Sequence, residues 1–296
     1  MGGQGSGNFG HAGRPGEVGG SGEGGGSFHE PSASLKGTNV LKGHLSDAMI
    51  IQMENQIAGY NEMAPEAMAT VKAIGERMDV IAEGYRAIEA DDIALYMKDH
   101  PGSYYDDVKR QFEDAIGQKM LRAAMGSSST PGSTVVTASK DTLIGINSYF
   151  ETEEGKAALM GAVTRNFQPK GSGTLKSVID HEIEHVMDRT YDISGDPRFR
   201  EALQKDISPP GKPSYDRTTL ISKRLCDYAG ESVAEFAACA WDEYKNNPKP
   251  RPMARKYGKL IEKIVKDKRA YLASGGKITS SMGKLIEPLP PGVKVI

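Results

Sequence analysis

Several residue types that mark particular protein classes are scarce in this chain of 296 residues. It has two cysteines, which excludes a disulfide-stapled scaffold and predicts a reducing, cytoplasmic setting. No apolar run approaches the roughly 18 residues that a membrane helix needs, so no membrane partner is expected. The first residues carry neither a basic region nor an apolar core, so no secretion signal is expected. Histidine is also scarce, with six residues, so a metal-ligand motif built from two of them is informative.

Glycine, in contrast, is abundant and unevenly distributed. Thirteen of the 35 glycines fall within residues 1–30, which predicts a disordered tail over residues 1–40. Apolar spacing predicts a helical domain at residues 41–126, in the form of a hairpin or small bundle. One of its helices is expected to begin near Pro65 and to bury the stripe Val71, Ile74, Met78, Ile81, Tyr85 and Ile88.

A linker rich in glycine, serine and proline, residues 126–132, leads into a second predicted domain at residues 127–275. β-branched residues predict two short strands there, at 134–138 and 142–146. The remaining periodic segments predict helices at about 152–163, 174–190, 197–206, 217–228, 230–246 and 253–273. The predicted fold class is therefore α+β and mostly helical, with a small sheet, and residues 276–296 are expected to form an extended tail.

The motif that carries chemistry lies in the second of these helices. Residues 175–188 read LKSVIDHEIEHVMD, which contains the pattern H-E-x-x-H. His181 and His185 are four residues apart, so both imidazoles project from one helical face and are able to share one zinc ion. Glu182 lies beside this face, where it would act as general base on a water that the metal activates. Asp188 shares the ligand face, and either orients an imidazole or points to solvent.

A catalytic zinc site needs a third protein ligand. No histidine follows His185, so this ligand is expected to be a carboxylate. The helix predicted at 230–246 begins GESVAEFAACAW and offers two candidates four residues apart, Glu231 and Glu235. One glutamate would bind the metal, and the other would contact the ligands without binding the metal itself. Residue type and spacing alone leave both assignments open, and they predict one zinc ion per chain.

The two motifs together resemble the catalytic domain of anthrax lethal factor-like metallopeptidases, which are gluzincin-type zinc enzymes. The resemblance covers roughly residues 130–245 and implies a zincin-like fold and hydrolysis of peptide bonds. It implies that Glu235 is the third zinc ligand and that Tyr228 lies beside the metal, where its phenol would stabilise the oxyanion. The chain departs from the family pattern at Ala237 and Cys239, where the family has a second phenylalanine and a second acid.

A second resemblance concerns the N-terminal tail. Residues 7–21 read GNFGHAGRPGEVGGS and resemble a glycine-rich segment of phage-encoded proteins, including head-morphogenesis proteins. It implies a phage or prophage origin, with a location in the cytoplasm of the bacterial host or on the virion. The expected partners are a protein or peptide substrate and phage-particle components.

Two other functions are compatible with the same residues. In the first, the chain is a phage structural protein whose peptidase-like domain is inactive or incidental. In the second, it is a binding module that zinc stabilises. Residues 245–284 carry 12 basic against two acidic residues, and we interpret this charge as a solvated helix face rather than a nucleic-acid site.

Overall fold

A computed structural model describes residues 38–99, 130–136, 141–207 and 216–278. Its strands are β1 (Asn39–Leu41), β2 (Val71–Glu76), β3 (Gly132–Val136) and β4 (Thr142–Ile146). Its α-helices are α1 (Asp47–Tyr60), α2 (Pro65–Met68), α3 (Arg77–Asp99), α4 (Glu153–Thr164), α5 (Leu175–Tyr191), α6 (Pro197–Ile207), α7 (Asp216–Arg224), α8 (Val233–Asn246) and α9 (Pro252–Ala273). Two short 3₁₀ helices lie at Ser148–Glu151 and Tyr228–Gly230. The described part is therefore mostly helical with a small sheet, as the sequence predicts.

The four strands form one mixed sheet in the order β1-β2-β4-β3. β1, β2 and β4 run parallel, whereas β3 is antiparallel to β4 and lies at an edge of the described sheet. Helix α5 packs against β3 and β4 on one side and against α8 on another. The sheet and α8 thus enclose the helix that carries the H-E-x-x-H residues.

The apolar core surrounds α5 and α8. Its largest fully buried side chains include Trp241, Tyr191, Tyr257, Phe199 and Phe236. Trp241 Nε1 donates a 3.0 Å hydrogen bond to the hydroxyl of Tyr60, which ties α1 to α8. Burial of such aromatic side chains is the main stabilising term in a domain of this kind, and it fixes the position of the helices that carry the site. None of the described helices combines the length and the apolar content required to cross a bilayer.

The predicted disordered tail over residues 1–40 and the predicted helical domain at 41–126 are both wrong where they meet, because Asn39–Leu41 form strand β1. The helical prediction is also wrong at residues 71–76. Val71 and Ile74 belong to strand β2, and a helix resumes only at Arg77. All but one of the β2 residues are buried, because neighbouring strands flank β2 and helices cover it. A short continuous apolar run gives a similar pattern in a buried strand and in a buried helix, so periodicity did not separate them. Residues 100–126 of the predicted helical domain lie outside the described residues.

Strand pairing joins the two segments that the sequence analysis assigned to separate domains. β2 precedes the predicted boundary at residue 126 and pairs along its length with β4, which follows it. The helices predicted after this boundary are confirmed to within a few residues, except that the predicted 217–228 helix ends at Arg224. Helix α8 begins at Val233 rather than near 230, because the Ser232 side chain accepts a hydrogen bond from the Glu235 backbone and caps it there.

Candidate metal centre

Helix α5 is fixed at both ends, and this sets the direction of its side chains. Thr174 caps the N-terminus in a reciprocal capping box with Ser177. Asp192 ends the helix in the left-handed conformation, with φ of 52°. Between these ends His181 is buried and His185 is partly buried, with ring centroids 4.9 Å apart. The spacing of four residues places both rings on the face that meets α8.

Helix α8 brings Glu235 to this pair. Oε2 of Glu235 lies 3.1 Å from Nε2 of His181 and 3.5 Å from Nε2 of His185. One potential ligand atom from each of the three residues lies within 4.8 Å of the others. Glu231, the other candidate, is exposed at the end of the preceding 3₁₀ helix and is not part of this cluster. The structure therefore brings together His181, His185 and Glu235.

The spacing of these atoms fits a single metal ion. Zinc–nitrogen and zinc–oxygen bonds of about 2.0–2.1 Å in a tetrahedral site place neighbouring ligand atoms about 3.3 Å apart. The two distances from Glu235, 3.1 and 3.5 Å, bracket that value. Two imidazoles and one carboxylate are a common ligand set of catalytic zinc, and other divalent transition metals accept it as well. These residues fit a metal in size and chemistry.

Electrostatics couple the three groups in the metal-free arrangement. Burial by itself disfavours the charged form of His185, but the hydrogen bond and charge of Glu235 outweigh it and raise the pKa of His185 to about 10. Burial has the opposite effect on Glu235, yet hydrogen bonds from His181 and His185 lower the pKa of this carboxyl far below its usual value. The cluster therefore holds a proton where a cation would bind.

Glu182 occupies a separate position, against the edge strand. The hydroxyl of Thr134 on β3 donates a 2.7 Å hydrogen bond to Oε2 of Glu182, and it also lies 3.1 Å from the backbone carbonyl oxygen of Glu182. Gly132 packs against the other oxygen: a Cβ there would lie 2.6 Å from Oε1. Arg77 is largely buried nearby, with its Nε donating to Ser133, and its charge interacts favourably with Glu182. These contacts hold the carboxyl beside the histidine pair.

Tyr228 lies at the same cluster, as the resemblance implied. Its ring centroid is 6.1 Å from that of His181 and 5.5 Å from that of Phe167. Burial and the charges of Glu235 and Glu182 raise the pKa of its phenol. The hydroxyl therefore keeps its proton throughout the physiological range and is available as a hydrogen-bond donor.

The remaining residues singled out in the sequence have other surroundings. Asp188 is buried, and its Oδ1 accepts a 2.6 Å hydrogen bond from the backbone of Ser194, so it does not point to solvent. Cys226 and Cys239 are free and buried. Sequence reasoning missed Thr134, Gly132 and Arg77, because their proximity to Glu182 depends on strand order and helix packing, which no local pattern encodes.

Comparisons of this chain with protein-family models, with curated proteins and with solved structures returned no match. The interpretation of the site therefore depends on its residues and their geometry.

Proposed function

We propose that this chain is a zinc-dependent metallopeptidase with a zincin-like catalytic domain. The observation that carries the proposal is the convergence of His181, His185 and Glu235, with Glu182 adjacent in sequence and held against the edge of a sheet. A metal site that had only a structural role would usually present four protein ligands. Three ligands beside a held carboxyl group are typical of a catalytic site.

The roles of the residues follow from their positions. His181, His185 and Glu235 would hold the zinc ion, one per chain. When bound, zinc acts as a Lewis acid and brings the pKa of water into the neutral range. Glu182 would accept a proton from the attacking water and later donate it to the leaving amine. Because Thr134 already donates to Oε2, this proton transfer is assigned to Oε1, the oxygen beside Gly132.

Tyr228 would stabilise the negative charge that develops on the oxygen of the tetrahedral intermediate. Its phenol lies at the ligand cluster and keeps its proton, so it is able to donate to the oxygen of a tetrahedral intermediate. In the metal-free arrangement this hydroxyl is hydrogen-bonded to Glu235, which keeps it beside the ligand cluster. We assign it oxyanion stabilisation rather than metal binding.

The substrate we propose is a peptide bound in extended form along β3. Strand β4 lies between β2 and β3 within the described sheet, so both of its edges are already paired. β3 is at an edge and touches Glu182 through Thr134. A strand at an edge presents backbone donors and acceptors that an extended peptide is able to pair with. We therefore assign substrate pairing to Gly132–Val136.

The biological setting we propose is a bacteriophage or prophage, from the resemblance of residues 7–21. In that setting the protein acts in the cytoplasm of the bacterial host or on the virion, with phage-particle components among its partners. A structural role with an incidental peptidase-like domain is the alternative, and it predicts no hydrolysis.

Purified full-length protein tests the proposal when it is incubated with a mixed peptide library. Mass spectrometry would read new termini before treatment with a chelator, after it, and after zinc is restored. We expect cleavage that the chelator abolishes and zinc restores. Cleavage that persists in fully metal-free protein would contradict a metallopeptidase. If the zinc-loaded protein cleaves neither the library nor phage and host proteins, the result would favour the structural alternative.

A further inference from the structure

One glutamate of helix α5, Glu184, has no hydrogen-bond partner among the residues that the structure describes. Glu184 is fully buried, and neither of its carboxyl oxygens makes a hydrogen bond within the part of the chain that the structure describes. Burial of a polar group without a partner is costly, so each such group in a native protein calls for an explanation. The roles assigned above to the site residues do not use Glu184.

Two other buried carboxyl groups, Glu243 and Asp180, have several hydrogen-bond partners each. Glu243 accepts from the guanidinium and the backbone of Arg251, at distances from 2.5 to 2.9 Å. Asp180, one turn before Glu184 on the same helix, accepts from Tyr60, Lys176 and Asn246 at 2.8 to 2.9 Å. Glu184 therefore differs from its neighbours in lacking the partners that the fold supplies to them.

The position of Glu184 supplies an explanation. Its Oε2 lies 3.9 Å from Nδ1 of His185, while Nε2 of the same ring faces Glu235 at 3.5 Å. Among the described residues, Nδ1 of His185 makes no hydrogen bond. A histidine that binds a metal through one ring nitrogen almost always donates its other N–H to an acceptor, which fixes the orientation of the ring. If the distance from Oε2 of Glu184 to Nδ1 of His185 shortened by about 1 Å, the two atoms would be within hydrogen-bond distance.

Two other groups near the cluster are less suited to this role. Asp188 already accepts a 2.6 Å hydrogen bond from the backbone of Ser194, at the end of helix α5. Helix α8 offers a buried thiol, Cys239, one turn after Glu235, and a thiol is a weak acceptor. Glu184 is the carboxyl group that has both the proximity and the unused acceptor atoms.

We propose that Glu184 is a positioning residue of the metal centre. Its carboxyl group accepts a hydrogen bond from Nδ1–H of His185 and holds the imidazole with Nε2 directed at the ion. The inference rests on the metal site of the proposed function and not on peptide hydrolysis. It explains why a buried carboxyl group without other partners is retained in this helix.

Zinc affinity and metal-free stability together test this role. The full-length variants Glu184→Met, which removes the acceptor at similar volume, and Glu184→Gln, which keeps an amide oxygen, would be titrated with zinc against a chromophoric chelator. We expect zinc affinity to fall by about 100-fold for Glu184→Met and by about 10-fold for Glu184→Gln, the two ends of the range for such partners. Metal-free Glu184→Met should unfold at or above the wild-type temperature, because it replaces an unpartnered polar group by an apolar one.

Asp180→Asn is the matched control, since it alters a buried carboxyl on the same helix whose partners are unrelated to the metal. We expect this variant to bind zinc as the wild type does, even if its thermal midpoint falls. Wild-type zinc affinity in both Glu184 variants would overturn the proposal, and so would an equal loss in Asp180→Asn. Absence of zinc binding by the wild type would overturn the proposed function and this inference together. Affinity losses as expected, without any peptide cleavage, would support the role of Glu184 and contradict only the hydrolytic function.

Discussion

The hydroxyl of Thr134, on the edge strand β3, donates a 2.7 Å hydrogen bond to Oε2 of Glu182 on helix α5. A residue of the strand proposed to pair with substrate thus holds the glutamate proposed to move the proton. Peptide binding along β3 and the position of the general base are coupled through this one contact. The coupling requires that β3 lie at the edge of the sheet, with its Thr134 side chain toward α5.

Substitution of Thr134 by valine tests this coupling. Valine keeps the shape of the side chain but cannot donate to Glu182, so the carboxyl group loses one fixed contact. We expect kcat to fall about 10-fold, the loss that corresponds to one hydrogen bond to a charged group, with KM and zinc content unchanged. Thr134→Ser, which restores the hydroxyl, should recover most of the turnover. A valine variant with wild-type kcat would show that Glu182 is positioned by other groups.

The ligand pair predicts the behaviour of the metal. His181→Ala leaves one imidazole and one carboxylate, which rarely hold zinc against buffer. We expect about one zinc per chain in the wild type and almost none in the variant after dialysis, measured by elemental analysis. His44→Ala is the control, because His44 is exposed and lies outside the cluster. Stoichiometric zinc in His181→Ala would remove this histidine from the site.

The third ligand is tested by two glutamates on the same segment. Glu235→Ala should weaken zinc binding by several orders of magnitude, because its Oε2 is the only carboxylate oxygen in the described cluster. Glu231→Ala should leave the zinc dissociation constant close to that of the wild type, since Glu231 is exposed. Competition titration against a chelator measures both constants. The reverse order would assign the metal to Glu231.

The metal-free protein should show a displaced titration of His185. The hydrogen bond and charge of Glu235 outweigh burial and raise the pKa of His185 to about 10, so the ring stays charged through neutral pH. Because the pKa of His185 is raised and that of Glu235 is lowered, the pair stabilises the metal-free fold fully between about pH 4.5 and pH 6.5. The stabilisation is lost as pH rises through about 10, and also in strong acid, where Glu235 takes up a proton. Glu235→Gln removes the largest cause that raises this pKa, so the pKa of His185 should fall well below its wild-type value. Ring-carbon chemical shifts followed against pH would measure both values, and equal midpoints in the two proteins would contradict the coupling.

Part of the candidate metal site was predictable because it depends on residue spacing within single helices. The His181–His185 spacing, the cap at Thr174 and the helices that carry His181 and Glu235 follow from helical periodicity and capping chemistry. Strand β2 was not predictable in the same way, because a buried strand such as Val71–Glu76 lacks the polar alternation that separates a strand from a helix. The order of the strands depends on long-range packing, so the choice of β3 over β4 as the edge required the structure.

The same limit applied to the groups around the ligands. Glu184 lies between two ligand positions in sequence, yet its role depends on whether the fold supplies it with a partner. Asp180 and Glu184 have the same chemistry and are four residues apart, but only Asp180 contacts Tyr60 and Asn246. Sequence gives the type and spacing of such residues, whereas packing decides which of them is satisfied.

The most direct test of the central claim, hydrolysis by a metal-assisted general base, is the comparison of wild type with Glu182→Gln. Glutamine keeps the size of the side chain and the acceptor for Thr134, but it cannot take up the proton from the attacking water. His181, His185 and Glu235 are untouched, so zinc content and thermal midpoint should equal those of the wild type. Both proteins, loaded with zinc, would be incubated with the same peptide library, and the rates of appearance of new termini compared. The account predicts a loss of about 10²-fold or more in Glu182→Gln, and equal cleavage by the two zinc-loaded proteins would contradict it.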